Sequence, residues 1–515
     1  MRARFLALAT AGSALLAYMA AELYVIGHPG FPLDDSWIHL HFASSIAAGE
    51  GLAYNPGQWV AGSSAPLWTA LLAPAFVLSP VAAILWAKLL GAIFLIFTVF
   101  ASFRLATQFG LSRFTGWIAA GLVGTSHWLL WAALSGMEIT LFACLSLWGL
   151  VLHGRERRGG GLFSIAVLAL ACLARPEGAL LLVLALVDRW LCLRLHPRPA
   201  LEWRKDPQGV AAIATAVLLV APVALFYFVI GDSPAPSTLA AKTQPDFLPN
   251  GDYLRLVVDV FWRSQPVLLL LAAGGALRVL RRSRPGGGVS AAWLVCLPLA
   301  YSLLASPGWS MPLGNFGRYY MPLLPLVVVF GLATLDPVFE ALEEGFSFAG
   351  RQWPLRALLL LALFAPHFLA LGQGPARYVQ TVANVEDSDV RAALWLRSRL
   401  PPDALLAVQD VGALKFFLPN PVIDLAGLVS PEIVPILRAD DGIYWEQRLA
   451  GYLAEQRPDY LVVFTDSYPM LSSPQGFERV ISFQVENNVT MAGDELVVLK
   501  TPWCDRPLVD PQDAK

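Results

Sequence analysis

PLWTALLAPAFVL, residues 66–78, is the stretch on which the topology of this chain turns. It is apolar, but its length of about 13 residues falls short of the roughly 20 that a helix needs to cross a bilayer. It begins at Pro66 and stops just before Pro80, and such a length suits a re-entrant or interfacial helix. Around it lies a chain of 515 residues that is 56% hydrophobic and 14% charged, with a mean hydropathy of +0.58. Soluble domains carry about 25% charged residues. The apolar residues also fall in long runs rather than at amphipathic spacing, so the chain reads as a polytopic α-helical membrane protein. Runs of spanning length lie at 5–26, 82–103, 114–133, 137–153, 161–175, 178–193, 210–230, 264–280, 289–305, 319–336 and 354–373, about eleven transmembrane helices in all. The first could serve as a signal peptide, but no A-x-A site precedes the charged loop. It is read as a retained span.

The basic residues decide whether 66–78 crosses. If it does not, and the N-terminus is cytoplasmic, one side collects Arg2, Arg4, Arg104, Arg113, Arg155, Arg157 and Arg158. The same side collects Arg189, Arg194, Arg198, Arg204, Lys205, Arg278, Arg281, Arg282 and Arg284. The outer loops keep only isolated cations, which is the asymmetry that positive-inside loops produce. If 66–78 crossed, every later basic loop would lie outside. Residues 27–81 are therefore expected to form a first outer loop with interfacial helices, and residues 374–515 to lie outside as well.

Composition shifts near residue 374. A helical stretch, DSDVRAALWLRSRL, precedes short β-rich runs, ALLAVQD, PVIDL, DYLVVFTD, RVISFQV and ELVVLK, with helical patterns between several of them. That alternation predicts a small extracytoplasmic α/β domain over 374–515, joined through an exposed polar linker, VANVEDSD, to a transmembrane domain over 1–373. Asp410 and Asp424 stand at expected strand ends, where turn chemistry is the stronger explanation. The five cysteines are scattered with no CxxC pair, which indicates no disulfide framework or thiolate metal site. A net charge of −2 gives no ground for nucleic-acid binding, and no GxGxxG or Walker pattern predicts a nucleotide site.

The first outer loop opens FPLDDSWIHLHF, residues 31–42. Helix capping explains one aspartate, but not two beside a span, in a loop that also holds Trp37, His39 and His41. Ionisable groups at a membrane edge are functional candidates, and adjacent carboxylates push their pKa values apart, which suits one to act as a base. Cations are expected on the same side: Lys88 near the outer end of a span, Lys242 in an outer loop, Arg318 where the chain re-enters the membrane, and Arg175 beside Glu177. Each could instead snorkel to headgroups, and Arg175 could pair with Glu177. A carboxylate that deprotonates an acceptor hydroxyl, beside cations that hold a lipid phosphate, makes a glycosyltransferase.

The residues LDDSWIHLHFASSIAAGEGLAYNPGQWVAGSSAPLWT resemble the first outer loop of the GT-C superfamily of glycosyltransferases, in its arabinofuranosyltransferase-like branch. LSGMEITLF (134–142), ARPEGALL (174–181), PSTLAAK (236–242), GRYYMPLLP (317–325) and VIDLAGLVSPEI (422–433) match in order, so the likeness covers nearly the whole chain. The resemblance implies a multi-pass enzyme of the bacterial cytoplasmic membrane. It would transfer a hexose or pentose, with inversion, from a polyprenyl-phosphate carrier to a glycan, lipid or protein acceptor at the outer face. It implies Asp34 or Asp35 as general base, with Asp34 favoured. Lys88, Lys242 and Arg318 would bind the donor phosphate, and Trp37, His39, Glu138, Arg175 and Glu177 would face the substrates. Relatives commonly read Asp-Asp-Ala-Tyr where this chain reads Asp-Asp-Ser-Trp, which keeps an aromatic for sugar stacking. No metal ligand is assigned, and a divalent cation, Mg or Mn, stays open because branches of the superfamily differ. The alternatives are a flippase or transporter for lipid-linked sugars, a non-enzymatic binding scaffold, and an en bloc oligosaccharide ligase. The absence of inverted repeats and midplane charges in the sequence weighs against transport.

Overall fold

The computed structural model describes residues 2–156, 163–195, 207–243, 248–304, 317–346, 353–439, 442–473 and 475–509. Arg157, Arg158, Arg198, Arg204 and Lys205 lie outside them. Every apolar run read from the sequence falls mostly on helix where described. Among the described residues five helices are long and apolar enough to cross a membrane: Arg4–Val25, Pro80–Gln108, Ile213–Gly231, Gly287–Leu304 and Gly317–Glu340. Two bent pairs raise the number to seven. Arg113–Gly124 with His127–Leu134 bends by 51°, and Gly251–Trp262 with Pro266–Arg281 by 107°. The sequence count of about eleven includes runs whose helices are shorter, Phe163–Ala174 among them. The protein is thus a multi-pass membrane protein with a mostly helical fold and a small C-terminal sheet. The stretch 66–78 forms a short helix, Pro66–Leu72, and then a 3₁₀ segment, Ala73–Val77, that begins where Pro74 removes a helical N–H.

The chain divides into two compact units. The first, the membrane unit, comprises residues 1–21, 88–223 and 244–376. Its helices pack through small residues, as expected where lipid supplies no hydrophobic drive and close backbone contact must. A Cβ on Gly275 would fall 1.7 Å from the Phe330 carbonyl oxygen, and one on Gly331 would fall 2.6 Å from that of Leu268. These two glycines bring Pro266–Arg281 and Leu324–Phe346 together from both sides. Several buried polar groups in this unit pair across helices: His367 joins Gln265 (2.6 Å) and Thr125 (2.8 Å), and His153 meets Asp188 at 2.8 Å.

The second unit is assembled from 22–87, 224–243 and 377–515. Its sheet has strands β3 (Leu406–Val408), β4 (Val422–Asp424), β5 (Tyr460–Phe464), β6 (Glu478–Gln484) and β7 (Glu495–Lys500) in the order β4-β3-β5-β7-β6. β4, β3 and β5 are parallel, and β7 runs antiparallel to both of its neighbours, β5 and β6. All five expected strands are present. The central β5, YLVVF, is buried at every position, as a strand covered on both faces must be. Helix Trp445–Gln456 covers one face through Leu449 and Leu453, which pack with Leu461, Val463 and Val497. A hairpin of β1 (Ala53–Asn55) and β2 (Gln58–Trp59) turns on Pro56 and Gly57, whose φ of +73° is the left-handed value a type II turn requires. Its Asn55 side chain takes the place of a further strand on the β4 edge: Oδ1 accepts from Val422 N (3.0 Å) and Nδ2 donates to Val422 O (3.0 Å).

The stretch VANVEDSD is not the exposed linker that its polarity predicts. Helix Trp353–Val385 runs on as a π-helical turn, Glu386–Val390, into Arg391–Arg397. Val382, Val385, Asn384, Ser388 and Asp389 are buried. Asn384 explains why a polar sequence can be interior: its amide bridges the Glu486 carbonyl (3.0 Å) and the Val489 amide (2.9 Å).

Candidate functional site

The carboxylate pair begins the helix Asp34–Ala47, whose N-cap is Leu33 with no side-chain cap. Neither aspartate therefore caps its own helix. Asp34 instead caps another: Oδ2 accepts from Gly412 N at 2.6 Å and Oδ1 from Ala413 N at 2.7 Å, the first amides of helix Gly412–Phe417. Gly412 makes this possible, since a Cβ there would lie 2.1 Å from Asp34 O and 2.7 Å from its Oδ2. Asp35 is half-buried and accepts from Lys242 Nζ at 3.1 Å. Trp37 lies fully inside, against Phe31, Phe416 and Phe417 at centroid distances of 5.0–5.1 Å. It offers no open face for a sugar, so its aromatic character serves packing here. His39 is also buried.

Asp34 belongs to a crowd of acids in this second unit. Burial pushes its carboxyl up to about 7, against the pull of the Ala413 and Gly412 amides, and Asp35 and Asp424 add to the rise. Burial lifts Asp424 to about 6, although the Val429, Ala426 and Leu428 amides and Lys242 oppose it. Its oxygens accept from Ala426 N and Val429 N, which is turn chemistry at the end of β4. Asp389 and Asp410 are raised as well, by burial first and then by neighbouring carboxylates. Neither oxygen of Asp389 meets a hydrogen-bond donor among the described residues. Sequence reading missed Asp389 because it sits in what looked like a linker. Among the described residues no group of three or more His, Cys, Asp or Glu side chains could hold a metal ion. With the Asp34 oxygens committed to amides and Asp35 facing an ammonium, the pair is not built as a cation site.

These shifts fix the sign of a pH effect. A carboxyl whose pKa is higher folded than unfolded binds its proton more tightly in the folded state. The resulting stability is complete below the ordinary pKa of 3.8 and is lost as pH rises through about 7. Between pH 5 and pH 8 Asp34 alone should account for about 3 kcal/mol, at 1.36 kcal/mol per pKa unit. Thermal unfolding of the detergent-solubilised protein should therefore occur at a higher temperature at pH 5 than at pH 8. An unfolding temperature that falls on acidification would contradict this picture of the acid cluster.

The remaining candidates lie within the membrane unit, and four of them gather around Arg175 and Tyr319. Arg175, buried, donates to Glu138 Oε1 (2.6 Å), to both oxygens of Glu177 (2.9 and 3.2 Å) and to Tyr301 Oη (3.2 Å). The pairing of Arg175 with Glu177 is thus present, and Glu138 completes it. The guanidinium carbons of Arg175 and Arg318 lie 5.1 and 5.3 Å from the centroid of the Tyr319 ring, within cation–π range. Arg318 is 3% exposed. Lys88 is 1% exposed and donates to Leu134 O at 3.1 Å, where helix His127–Leu134 ends. The sequence candidates therefore fall into two groups: Asp34, Asp35, Trp37, His39 and Lys242 in one unit, Lys88, Glu138, Arg175, Glu177 and Arg318 in the other.

Comparison with known proteins gives three findings. Residues 379–499 match a family described as "Domain of unknown function (DUF8728)". No curated protein matches the chain in sequence. Among solved structures, ArnT from Cupriavidus metallidurans in the apo state is similar at a TM-score of 0.58 and 15% identity, over 98% of this chain and 99% of ArnT. ArnT bound to undecaprenyl phosphate is similar at 0.58 and 14%, over 95% and 97%. The Archaeoglobus fulgidus oligosaccharyltransferase tethered to an acceptor peptide follows at 0.56 and 12%, over 90% of this chain and 69% of that one. These neighbours are GT-C glycosyltransferases, and at such identities the likeness is one of architecture. The chain has the GT-C fold.

Proposed function

We propose that this protein is an inverting glycosyltransferase of the bacterial cytoplasmic membrane, with its second unit outside and its N-terminus in the cytosol. It takes a sugar from a polyprenyl-phosphate carrier and places it on a glycan, lipid or protein acceptor. The fold supports this reading, as does the undecaprenyl phosphate seen on ArnT. The observation that carries it is the half-buried pair of Asp35 and Lys242 at 3.1 Å, with side chains 22% and 23% exposed. A base and a cation stand side by side there, both reachable from solvent.

We assign Asp35, rather than the Asp34 favoured by the sequence, as the base. The acceptor hydroxyl oxygen attacks the anomeric carbon as the bond to the phosphate oxygen breaks. The hydroxyl proton passes to Asp35, and the bonding electron pair leaves with the polyprenyl phosphate, whose charge Lys242 offsets. A phosphate leaving group needs little protonation, so one carboxylate and a cation suffice. Asp34 acts as a positioning residue that locks the start of its helix to the Gly412 helix.

The test is to offer the purified protein, in nanodiscs, a panel of polyprenyl-phosphate sugars together with glycans from a deletion strain. One donor should be consumed, with release of polyprenyl phosphate and an inverted anomer in the product. Consumption of oligosaccharide-linked donors alone would replace single-sugar transfer by en bloc transfer. No turnover of any donor by folded protein would refute the assignment.

A further inference from the structure

A cavity of about 630 Å³ opens within the second unit. Its size falls in the range of about 300–1,000 Å³ typical of small-molecule sites. One wall is the Asp34 helix, through His41, Ser44 and Ser45; another is the chain from Lys415 to Asn420, the far end of the Gly412 helix and the turn after it. Asp34 and His41 are seven residues apart, so they share one helix face, about 10 Å apart along the axis. The same two helices that lock Asp34 at one end thus line this cavity at the other.

The lining is fixed in place. The His41 ring donates from Nε2 to Tyr54 O at 2.9 Å, which leaves Nδ1 as an acceptor, and burial lowers its pKa to about 4, so it is neutral. Ser44 Oγ donates to His41 O at 2.7 Å and keeps its lone pairs. Lys415 Nζ donates to Asn420 O at 2.6 Å, while Asn420 Nδ2 donates to Pro401 O and Ala404 O. Phe416 and Phe417 are half-buried and border the same space. Hydroxyls, a neutral imidazole and amide groups next to aromatic rings suit a ligand with many hydroxyls and apolar ring faces. The charged groups that border the cleft, Arg397, Glu50 and Lys415, are of mixed sign, and the Lys415 ammonium is already committed to the Asn420 carbonyl, so they define no charged ligand.

We propose that this cleft binds a saccharide, the part of the acceptor glycan remote from the reacting hydroxyl. The acceptor role rests on the transferase reading above; the saccharide site does not. Remote contacts of this kind supply binding energy away from the reacting centre.

The test uses the full chain in nanodiscs and saturation-transfer NMR with linear maltohexaose, xylohexaose, mannohexaose and chitohexaose. At least one should bind. Ser44→Trp, which fills the cleft, should weaken that binding more than tenfold without lowering the unfolding temperature. Glu50→Trp, at the exposed rim, provides a second blocking variant should the first fold poorly. Binding of none of the four, or binding that both variants leave intact, would overturn the site. The transferase reading is judged separately by donor consumption. Hexasaccharide binding sensitive to both variants, with every donor untouched, would keep the saccharide cleft and remove the transferase.

Discussion

Asp35→Asn should lower kcat by about 10²–10⁴-fold, the usual contribution of a general base, and leave the unfolding temperature where it was. The donor KM should not rise. Asn cannot hold Lys242 by charge as Asp35 does at 3.1 Å, so the ammonium becomes more available to phosphate. A fall in kcat with unchanged KM marks a group that acts in the transition state. Asp34→Asn should behave differently. Its carboxylate accepts two backbone amides, and an amide side chain can accept only one and turns an N–H toward the other. An unsatisfied buried donor costs about 1–3 kcal/mol, so this variant should unfold at a lower temperature. If Asp34→Asn instead abolishes turnover at full stability while Asp35→Asn stays active, the two roles are reversed. Retention of activity by both variants would remove the acid pair from the mechanism.

Gly412→Ala should be the most disruptive single-methyl change in the second unit. The added carbon would stand 2.1 Å from the Asp34 carbonyl oxygen and 2.8 Å from its Cγ. The nearest of these atoms is backbone and cannot swing aside, so the Gly412 helix must retreat and both amide contacts to Asp34 lengthen. Overpacking costs about 1–3 kcal/mol, and each hydrogen bond to a charged group about 1.5–3. A loss of several kcal/mol is expected, read as a large drop in unfolding temperature together with loss of turnover. Gly451→Ala is the contrasting control. It lies in helix Trp445–Gln456 with nothing within 4 Å of the new carbon, and relief of helical glycine should stabilise by up to about 1 kcal/mol. Equal effects of the two substitutions would mean that the contact at Asp34 contributes nothing.

Much of the fold is written in local patterns. Apolar runs became helices, 66–78 stayed short, and the five β-rich runs became five strands, because length and alternation are properties of neighbouring residues. What local pattern could not show is partnership across hundreds of residues. Trp37 next to two aspartates reads like a sugar platform, yet Phe416 and Phe417 enclose it. Asp34 reads as a cap for its own helix, yet it serves one that starts at Gly412. Asp389 was hidden in polar company that turns inward. The Arg175–Glu177 pair was legible at a spacing of two residues, while Glu138, 37 residues away, became its partner only in three dimensions.

The second unit draws on three stretches, of which the last begins at residue 377. Asp34 is separated from Gly412 by 378 residues. At about 5–20 residues per second of synthesis, the acid pair waits roughly 20 seconds to more than a minute for the segment that will hold it. Throughout that interval the ribosome-bound chain has its hydrophobic spans to insert but no finished setting for its carboxylates. A nascent chain released before Gly412 would reach the bilayer without the two amides that hold Asp34.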